Sequence, residues 1–317
     1  MADILQIKNV SKKYSNHVAL NDISINVAEK SIFGLLGPNG AGKTSLIRII
    51  NQITGPDKGE ILFKGEKLNP KHVERIGYLP EERGLYKKMS VGDQVLYLAQ
   101  LKGLSKSDAK KRLSFWFEKF EMQSWWKKKI EELSKGMQQK VQFIVTVIHE
   151  PELLILDEPF SGFDPINAQL IKNEIFELRK NGATVIFSTH NMGSVEELCD
   201  NICLIDKAEK ILDGSVKDIR KTYRTNTYKI SFKGNLLGFT NALWTAGEIV
   251  EKHTEDEIHT VTLKLANTIT GSQFLQAVLP TIEIHSFNEL IPSMNDIFIM
   301  KVNQGNEVVG TKSNYTE

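Results

Sequence analysis

Apolar and polar residues alternate in short runs through the first 64 positions, in ILQIKNV, INVAEKSIFGLL and GEILFKG. A period of two puts the apolar side chains on one face of an extended strand. The pattern therefore predicts a strand-rich opening. One segment breaks it: SLIRIINQI spaces its apolar residues as one face of a helix does. Between about residues 87 and 150 the spacing turns helical throughout, in VGDQVLYLAQLKGL, DAKKRLSFWFEKF and GMQQKVQFIVTVIHE, with few turn residues between. This predicts a helical insert. Short apolar runs then alternate with helical ones: LLILD, AQLIKNEIFELRKNG, TVIFSTH, SVEELCD and NICLID. Such alternation predicts an α/β sheet with both faces covered.

Composition shifts after Arg220, where KTYRTNT is polar and reads as a linker. Residues 1–220 and 221–317 are accordingly expected to be separate domains. The second runs TYKISF, LLGFTNALWTA, EIVEKH, EIHTVTLKL, SQFLQAVLP and IEIHSF. That order is strand, helix, strand, strand, helix, strand, an α+β domain of ferredoxin-like pattern. MNDIFIMKV reads as a last short helix, and residues 303–317 as a frayed end.

The chain has 317 residues, 41% of them hydrophobic, enough for two folding units with real cores. A net charge of +1 argues against a dominant electrostatic footprint for nucleic acid. Cys199 and Cys203 are the two cysteines, which fits a reducing compartment and ordinary buried thiols. The N-terminus has no stretch of signal-peptide type, and FIVTVI at 143–148 is of core length. The chain is not expected to cross a membrane by itself.

Chemistry concentrates in three places. Residues 37–44 read GPNGAGKT, between an apolar strand and a helix. Gly37, Pro38, Asn39, Gly40, Ala41 and Gly42 form a loop whose N–H groups can converge on phosphate oxygens. Lys43 reaches the β- and γ-phosphates, Thr44 can ligate Mg²⁺, and Ser45 opens the helix facing the anion. LLILD at 153–157 is a buried strand with Asp157 at its tip to hold the metal shell, and Glu158 comes next, where it can polarise a water. His190 ends another apolar strand, expected beside that of Asp157. LSKGMQQK offers a second helix N-terminus for anions, at Ser134 and Gly136.

A second anion site in one chain is what the ATP-binding-cassette (ABC) ATPase family uses, and residues 4–215 resemble that family in all these motifs. The resemblance implies a P-loop NTPase fold. It also implies a head-to-tail dimer in which Ser134 and Gly136 cover the nucleotide held by the other subunit. Further implied roles are Tyr14 stacking on adenine, Asp164 of SGFD at the dimer interface, and His190 at the γ-phosphate. Glu81 stands where the family usually has Gln, still able to reach Mg²⁺ or water, and Lys135 stands in the signature where Gly is usual. ATP and Mg²⁺ are the implied cofactors, and a separate polytopic permease the implied partner. Residues Glu82, Arg83, Leu85, Tyr86, Trp116, Trp125 and Trp126 are candidates near the permease groove, with a packed helical core the competing reading for the three tryptophans and the favoured one for Trp116. Both departures, and a small C-terminal domain, resemble the sodium-exporter branch, so export and a place on the cytoplasmic face of the cell membrane are implied. The alternative is a soluble cassette ATPase acting on nucleic acid or ribosomes. His253, His259 and His285 are scattered and read as structural.

Overall fold

The computed structural model describes residues 2–82 and 84–311, with side chains through Asn303. The chain opens with β1 (Asp3–Tyr14) and β2 (His17–Ala28), a long antiparallel hairpin. Next come β3 (Ile32–Leu36), α1 (Lys43–Ile50), β4 (Lys58–Phe63) and the short β5 (Glu66–Lys67). A 3₁₀ turn (Pro70–Arg75) leads into β6 (Ile76–Leu79). The helical stretch holds α2 (Val91–Leu101), α3 (Lys106–Lys119) and α4 (Lys135–Val147). After it run β7 (Leu153–Asp157), α5 (Pro165–Lys180), β8 (Thr184–Thr189) and α6 (Met192–Leu198). β9 (Asn201–Asp206) and β10 (Glu209–Ser215) complete this part, and α7 (Val216–Thr222) leads into the next.

Two sheets form. One is antiparallel with order β2-β1-β4-β5, and the other has order β10-β9-β3-β8-β7-β6. In the second, every pairing is parallel except that of the edge strand β10. β3, β7 and β8 are buried at every position, as strands covered on both faces must be. The helix α1 turns Leu46, Ile47, Ile49 and Ile50 into one core with Ile4 and Leu5 of β1 and Phe33 and Leu35 of β3. Each such side chain contributes roughly 1.5–3 kcal/mol by leaving water.

Helix starts in the insert follow the residues that can cap them. The Ser90 and Ser105 hydroxyls accept hydrogen bonds from the backbone N–H of Asp93 (3.2 Å) and Asp108 (3.1 Å), satisfying one orphan donor each. On α3, Leu113, Trp116, Phe117 and Phe120 recur at helical spacing, and all four are buried. The Trp116 ring packs against Phe120 and Phe143. Trp126 lies over Gly92, where a Cβ would come within 2.5 Å of its ring. Of the three tryptophans, Trp116 is core, in keeping with the packed-core reading, and Trp125 and Trp126 are half-buried. Among the other groove candidates Glu82 and Tyr86 are exposed and Leu85 is half-buried, while Arg83 lies outside the described residues.

The insert is fastened to the sheet beneath it. Lys102, at the end of α2, donates to the carbonyls of Val73 (2.9 Å) and Ile76 (3.0 Å). His149, just past α4, contacts the same Ile76 carbonyl through Nε2 at 3.4 Å. Burial, helped by the Lys102 ammonium, pushes His149 down to about 4. A base whose folded value is lowered stays neutral while the unfolded chain takes up a proton, so stability falls as pH drops from about 6.5 to about 4. The group then contributes about 3 kcal/mol less at the acid end of that window. Urea unfolding of the wild type and His149→Gln between pH 4.5 and 7.5 is expected to show a shallower pH dependence in the variant; equal slopes would remove this assignment.

Two compact units divide between Val216 and Lys217, before the composition break after Arg220. The second unit contains β11 (Thr227–Gly234), α8 (Leu236–Leu243), β12 (Gly247–Glu255), β13 (Ile258–Leu265), α9 (Gly271–Val278), β14 (Ile282–Glu289) and α10 (Met294–Thr311). Its sheet order is β12-β13-β11-β14, all antiparallel, the arrangement of a ferredoxin-like fold. Phe239 and Leu243 of α8 and Phe274 and Val278 of α9 pack on Ile230, Phe232, Val261 and Leu263 of the sheet. The final helix runs on to Thr311, so the segment expected to fray from residue 303 is helical for its first nine residues; residues 312–317 lie outside the described ones.

Candidate active site

β3, β8 and β7 lie side by side and end at one edge: Leu36 is level with Thr189, and Asp157 with Ser188. Ligands of open parallel sheets bind beyond such C-terminal ends. The register therefore brings the 37–42 loop, Glu158 and His190 together, each leaving the tip of its own strand.

The loop is held to its path by backbone approaches that exclude side chains. Gly42 has φ +116°, and a Cβ there would lie 2.2 Å from the Ala19 carbonyl oxygen. At Gly37, φ is +148° and a Cβ would lie 2.1 Å from the Ile205 carbonyl oxygen. Only glycine fits at both. The Ala41 N–H donates to the Pro38 carbonyl at 3.2 Å, closing the turn.

Lys43 begins α1 and is buried. Its ammonium folds back, donating to the carbonyls of Gly37 (2.7 Å) and Pro38 (3.0 Å). Burial lowers its proton affinity, while the charges of Glu158, Asp157 and Glu81 oppose that effect. Asp157 is buried and pushed up, first by burial and then by the Glu81 and Glu158 carboxylates, against the pull of Lys43. Three carboxylates thus surround one buried cation.

A cavity of about 300 Å³ opens here, lined by Tyr14, His17, Asn39, Gly40, Gly42, Lys43, Thr44, Ser45, Glu81, Asp157 and Glu158. Tyr14 is 40% exposed, and the Lys12 ammonium lies 5.4 Å from its ring centroid. Most of the sequence-expected phosphate, metal and adenine residues share this one space, while Gly37, Pro38, Ala41 and His190 do not line it. Ser134, Gly136 and Asp164 do not line it. The Ser134 hydroxyl caps α4, accepting from the Met137 N–H at 3.3 Å. The Asp164 carboxylate caps α5, accepting from the Asn167 N–H at 2.9 Å and its amide at 2.5 Å; these bonds hold Asp164 below the usual carboxylate range. Lys135 is exposed.

Glu158 adopts the left-handed region, φ +47°, which costs a non-glycine residue roughly 1–2 kcal/mol. Strain of this kind persists where its surroundings fix it. The Glu158 N–H donates to the Ser188 carbonyl at 2.9 Å. Its carboxylate accepts from the Thr189 hydroxyl (2.9 Å), the His190 N–H (2.9 Å) and His190 Nδ1 (2.6 Å). A carboxylate has about four lone-pair sites. Three are used, Oε1 twice and Oε2 once, so Oε2 keeps one for a further donor.

Three residues escaped the sequence reading. His17 reaches the cavity because it pairs with Tyr14 across the β1–β2 turn. Gln139 of α4 donates its amide to the Ser161 carbonyl. Gln142, buried on the same helix, points its amide at the carbonyls of Pro80 and Glu82, each at 3.4 Å, on either side of Glu81. The signal for Gln142 is a polar residue on the apolar face of a periodic helix, which a buried amide occupies only with partners.

Residues 20–161 match the ABC transporter family, and residues 214–302 match the C-terminal domain of DrrA1-3-like ATP-binding proteins. The chain is 41% identical over 299 residues to the ABC transporter ATP-binding protein YhaQ of Bacillus subtilis, covering 94% of this chain and 98% of that one. It is 33% identical to the Nod factor export ATP-binding protein I of Cupriavidus metallidurans, over 69% of this chain and 73% of that one. A solved ATP-binding subunit of an ABC transporter superposes with a TM-score of 0.65 at 30% identity, covering 69% of this chain and 93% of that one. Phosphate loop, strand-end carboxylates and close relatives agree: the chain belongs to the ABC transporter ATP-binding proteins, the ATPases that drive transport.

Proposed function

We propose that this chain hydrolyses ATP in a head-to-tail dimer of two copies and drives export through a separate membrane permease. One observation carries the reading: the cavity gathers Tyr14, the phosphate loop, Asp157 and Glu158 but leaves out Ser134 and Gly136. The anion-binding start of α4 completes the site only from a second copy.

In this reading the loop N–H groups and Lys43 bind the triphosphate, with Lys43 exchanging its two loop carbonyls for phosphate oxygens. Glu158 accepts a hydrogen bond from the attacking water at the open site on Oε2 and holds it in line. Its pairing with His190 Nδ1 requires a proton on that nitrogen. His190 Nε2, the ring nitrogen that Glu158 does not engage, is the one that would contact the γ-phosphate. A surplus of carboxylates in a phosphate cavity suits a divalent cation. Magnesium takes most of its ligands from phosphate and water, so few protein donors are needed. Thr44, Asp157 and Glu81 are the residues that would hold it. Bound there, Mg²⁺ would neutralise charge on the β- and γ-phosphates.

Tyr14 contributes stacking on adenine, worth about 0.5–1.5 kcal/mol. Tyr14→Ala is expected to weaken ATP binding by roughly two- to tenfold with little change in turnover at saturation. Nucleotide titration followed by phosphate release would read both, and an unchanged Kd would exclude the contact.

No described helix is long and apolar enough to cross a membrane, so a place at the cytoplasmic face is assigned through the permease. The export direction follows the relative whose name carries it. Trapping Glu158→Gln with ATP in the native host, followed by purification in mild detergent, tests the whole reading. A polytopic membrane protein in equal amount is the expected result. Ribosomes or nucleic-acid proteins in its place would overturn it.

A further inference from the structure

Thr189 is the last residue of β8 and is 2% exposed. A hydroxyl buried so deeply needs partners, and this one has two. Its Oγ1 accepts from the Asn191 N–H at 3.0 Å and donates to Glu158 Oε2 at 2.9 Å. The two directions cannot be exchanged. A main-chain N–H only donates, so it occupies a lone pair of the hydroxyl. An ionised carboxylate only accepts, so the single hydroxyl proton is committed to Oε2. Asn191 is fixed in turn, since its side-chain oxygen caps α6 by accepting from the Ser194 N–H at 3.1 Å. A chain of bonds therefore runs from the start of α6, through Thr189, to the Glu158 oxygen that keeps an open site.

The rest of the carboxylate's surroundings show what this bond adds. Both bonds from His190, through its N–H and its Nδ1, end on Oε1. Two bonds to one oxygen leave the group able to swing about that oxygen, because the last torsion of a Glu side chain has no sharp staggered wells. The Thr189 bond ends on the other oxygen. It is the third point that fixes the plane.

We infer that Thr189 is a positioning residue for ATP hydrolysis: its hydroxyl, oriented by the Asn191 N–H, sets the carboxylate plane of Glu158 and so aims the open lone pair of Oε2 at the attacking water. This rests on the reading of Glu158 as the group that polarises that water. Thr189 does not line the nucleotide cavity, so it acts through Glu158 and not on ATP. A carboxylate that swings keeps its charge and leaves the phosphate loop untouched, but it spends less time in line. The loss falls on turnover and not on nucleotide affinity.

Thr189→Val in the full-length chain keeps the shape of the side chain and removes the hydroxyl. Its kcat for phosphate release is expected to fall about ten- to a hundredfold, with the ATP Kd changed by less than about twofold. Thr189→Ser keeps the hydroxyl and is expected to recover most of the loss. Valine also strands the Asn191 N–H, so its thermal midpoint should fall. Thr189→Cys, whose thiol is a weak donor and acceptor, supplies a second comparison with Ser if the valine protein does not fold; its kcat is expected between those of Ser and Val. Added to Glu158→Gln, Thr189→Val is expected to cost less than about twofold more in single-turnover hydrolysis, since no carboxylate is left to aim. Wild-type turnover in Thr189→Val, beside a large loss in Glu158→Gln, overturns the positioning role and leaves the catalytic reading standing. Near-wild-type turnover in Glu158→Gln overturns that reading itself. Equal losses in the Ser, Cys and Val proteins, ATP binding that weakens in step with kcat, or losses that multiply in the double variant would each reject action through Glu158.

Discussion

Glu158→Gln is expected to lower ATP turnover by about 10²–10⁴-fold while ATP binding is retained. The amide keeps the size of the side chain and, with its oxygen at the Oε1 position, still accepts from His190, while its NH₂ takes the Oε2 position, where the Thr189 hydroxyl must turn from donor to acceptor. It loses the negative charge that polarises water and presents an N–H where Oε2 has its open site. Binding is spared because Lys43, the loop N–H groups and Tyr14 are untouched. Phosphate release and equilibrium nucleotide binding, measured on one preparation, separate the two effects. Turnover within a few-fold of wild type would show that the catalytic carboxylate lies elsewhere. On the proposed dimer reading the variant should hold ATP without splitting it, so that dimers accumulate, which is why it is chosen as a trap.

Gly42→Ala is expected to abolish nucleotide binding and to destabilise the cassette. Its methyl group would enter to 2.2 Å from the Ala19 carbonyl oxygen and 3.0 Å from the Leu20 side chain, at φ +116°. Left-handed strain and overpacking together cost about 2–5 kcal/mol. The chain relieves both by moving β2 or the start of α1, and either movement spoils the aim of the loop N–H groups. Thermal unfolding and nucleotide titration should change together. Gly40→Ala is the control: a Cβ there meets nothing within 4 Å, so only its positive φ opposes the change. A Gly42→Ala protein that binds ATP normally would mean that the loop does not need this approach.

Much of this architecture is legible in the sequence because one physical rule dominates each element. Strands buried on both faces read as unbroken apolar runs, as in LLILD, and helix starts follow Ser90, Ser105 and Ser134. The phosphate loop is legible because its glycines have no alternative. What sequence spacing cannot convey is pairing between distant segments. Nothing in the local pattern predicts that Gln142 reaches over the Glu81 loop, or that Tyr14 brings His17 with it across a hairpin. The tryptophans are ambiguous for a related reason. A bulky aromatic suits an interface and a core equally well, and the α3 periodicity that buries Trp116 outweighs its suitability for a groove.

One helix touches three things. Gln142 of α4 holds the loop around Glu81, Gln139 holds the Ser161 carbonyl beside Glu158, and the N-terminus of α4 carries Ser134 and Gly136. In the proposed head-to-tail dimer that N-terminus would serve the opposite nucleotide. A displacement of α4 caused by filling one site would then be delivered to the other, and the two turnovers would not be independent events. The chain should behave as a cooperative ATPase, with a Hill coefficient above one for ATP and a coupling of about 1–3 kcal/mol between the sites. Such a dimer cycles as a pair: it responds to a narrow range of ATP concentration and idles below it.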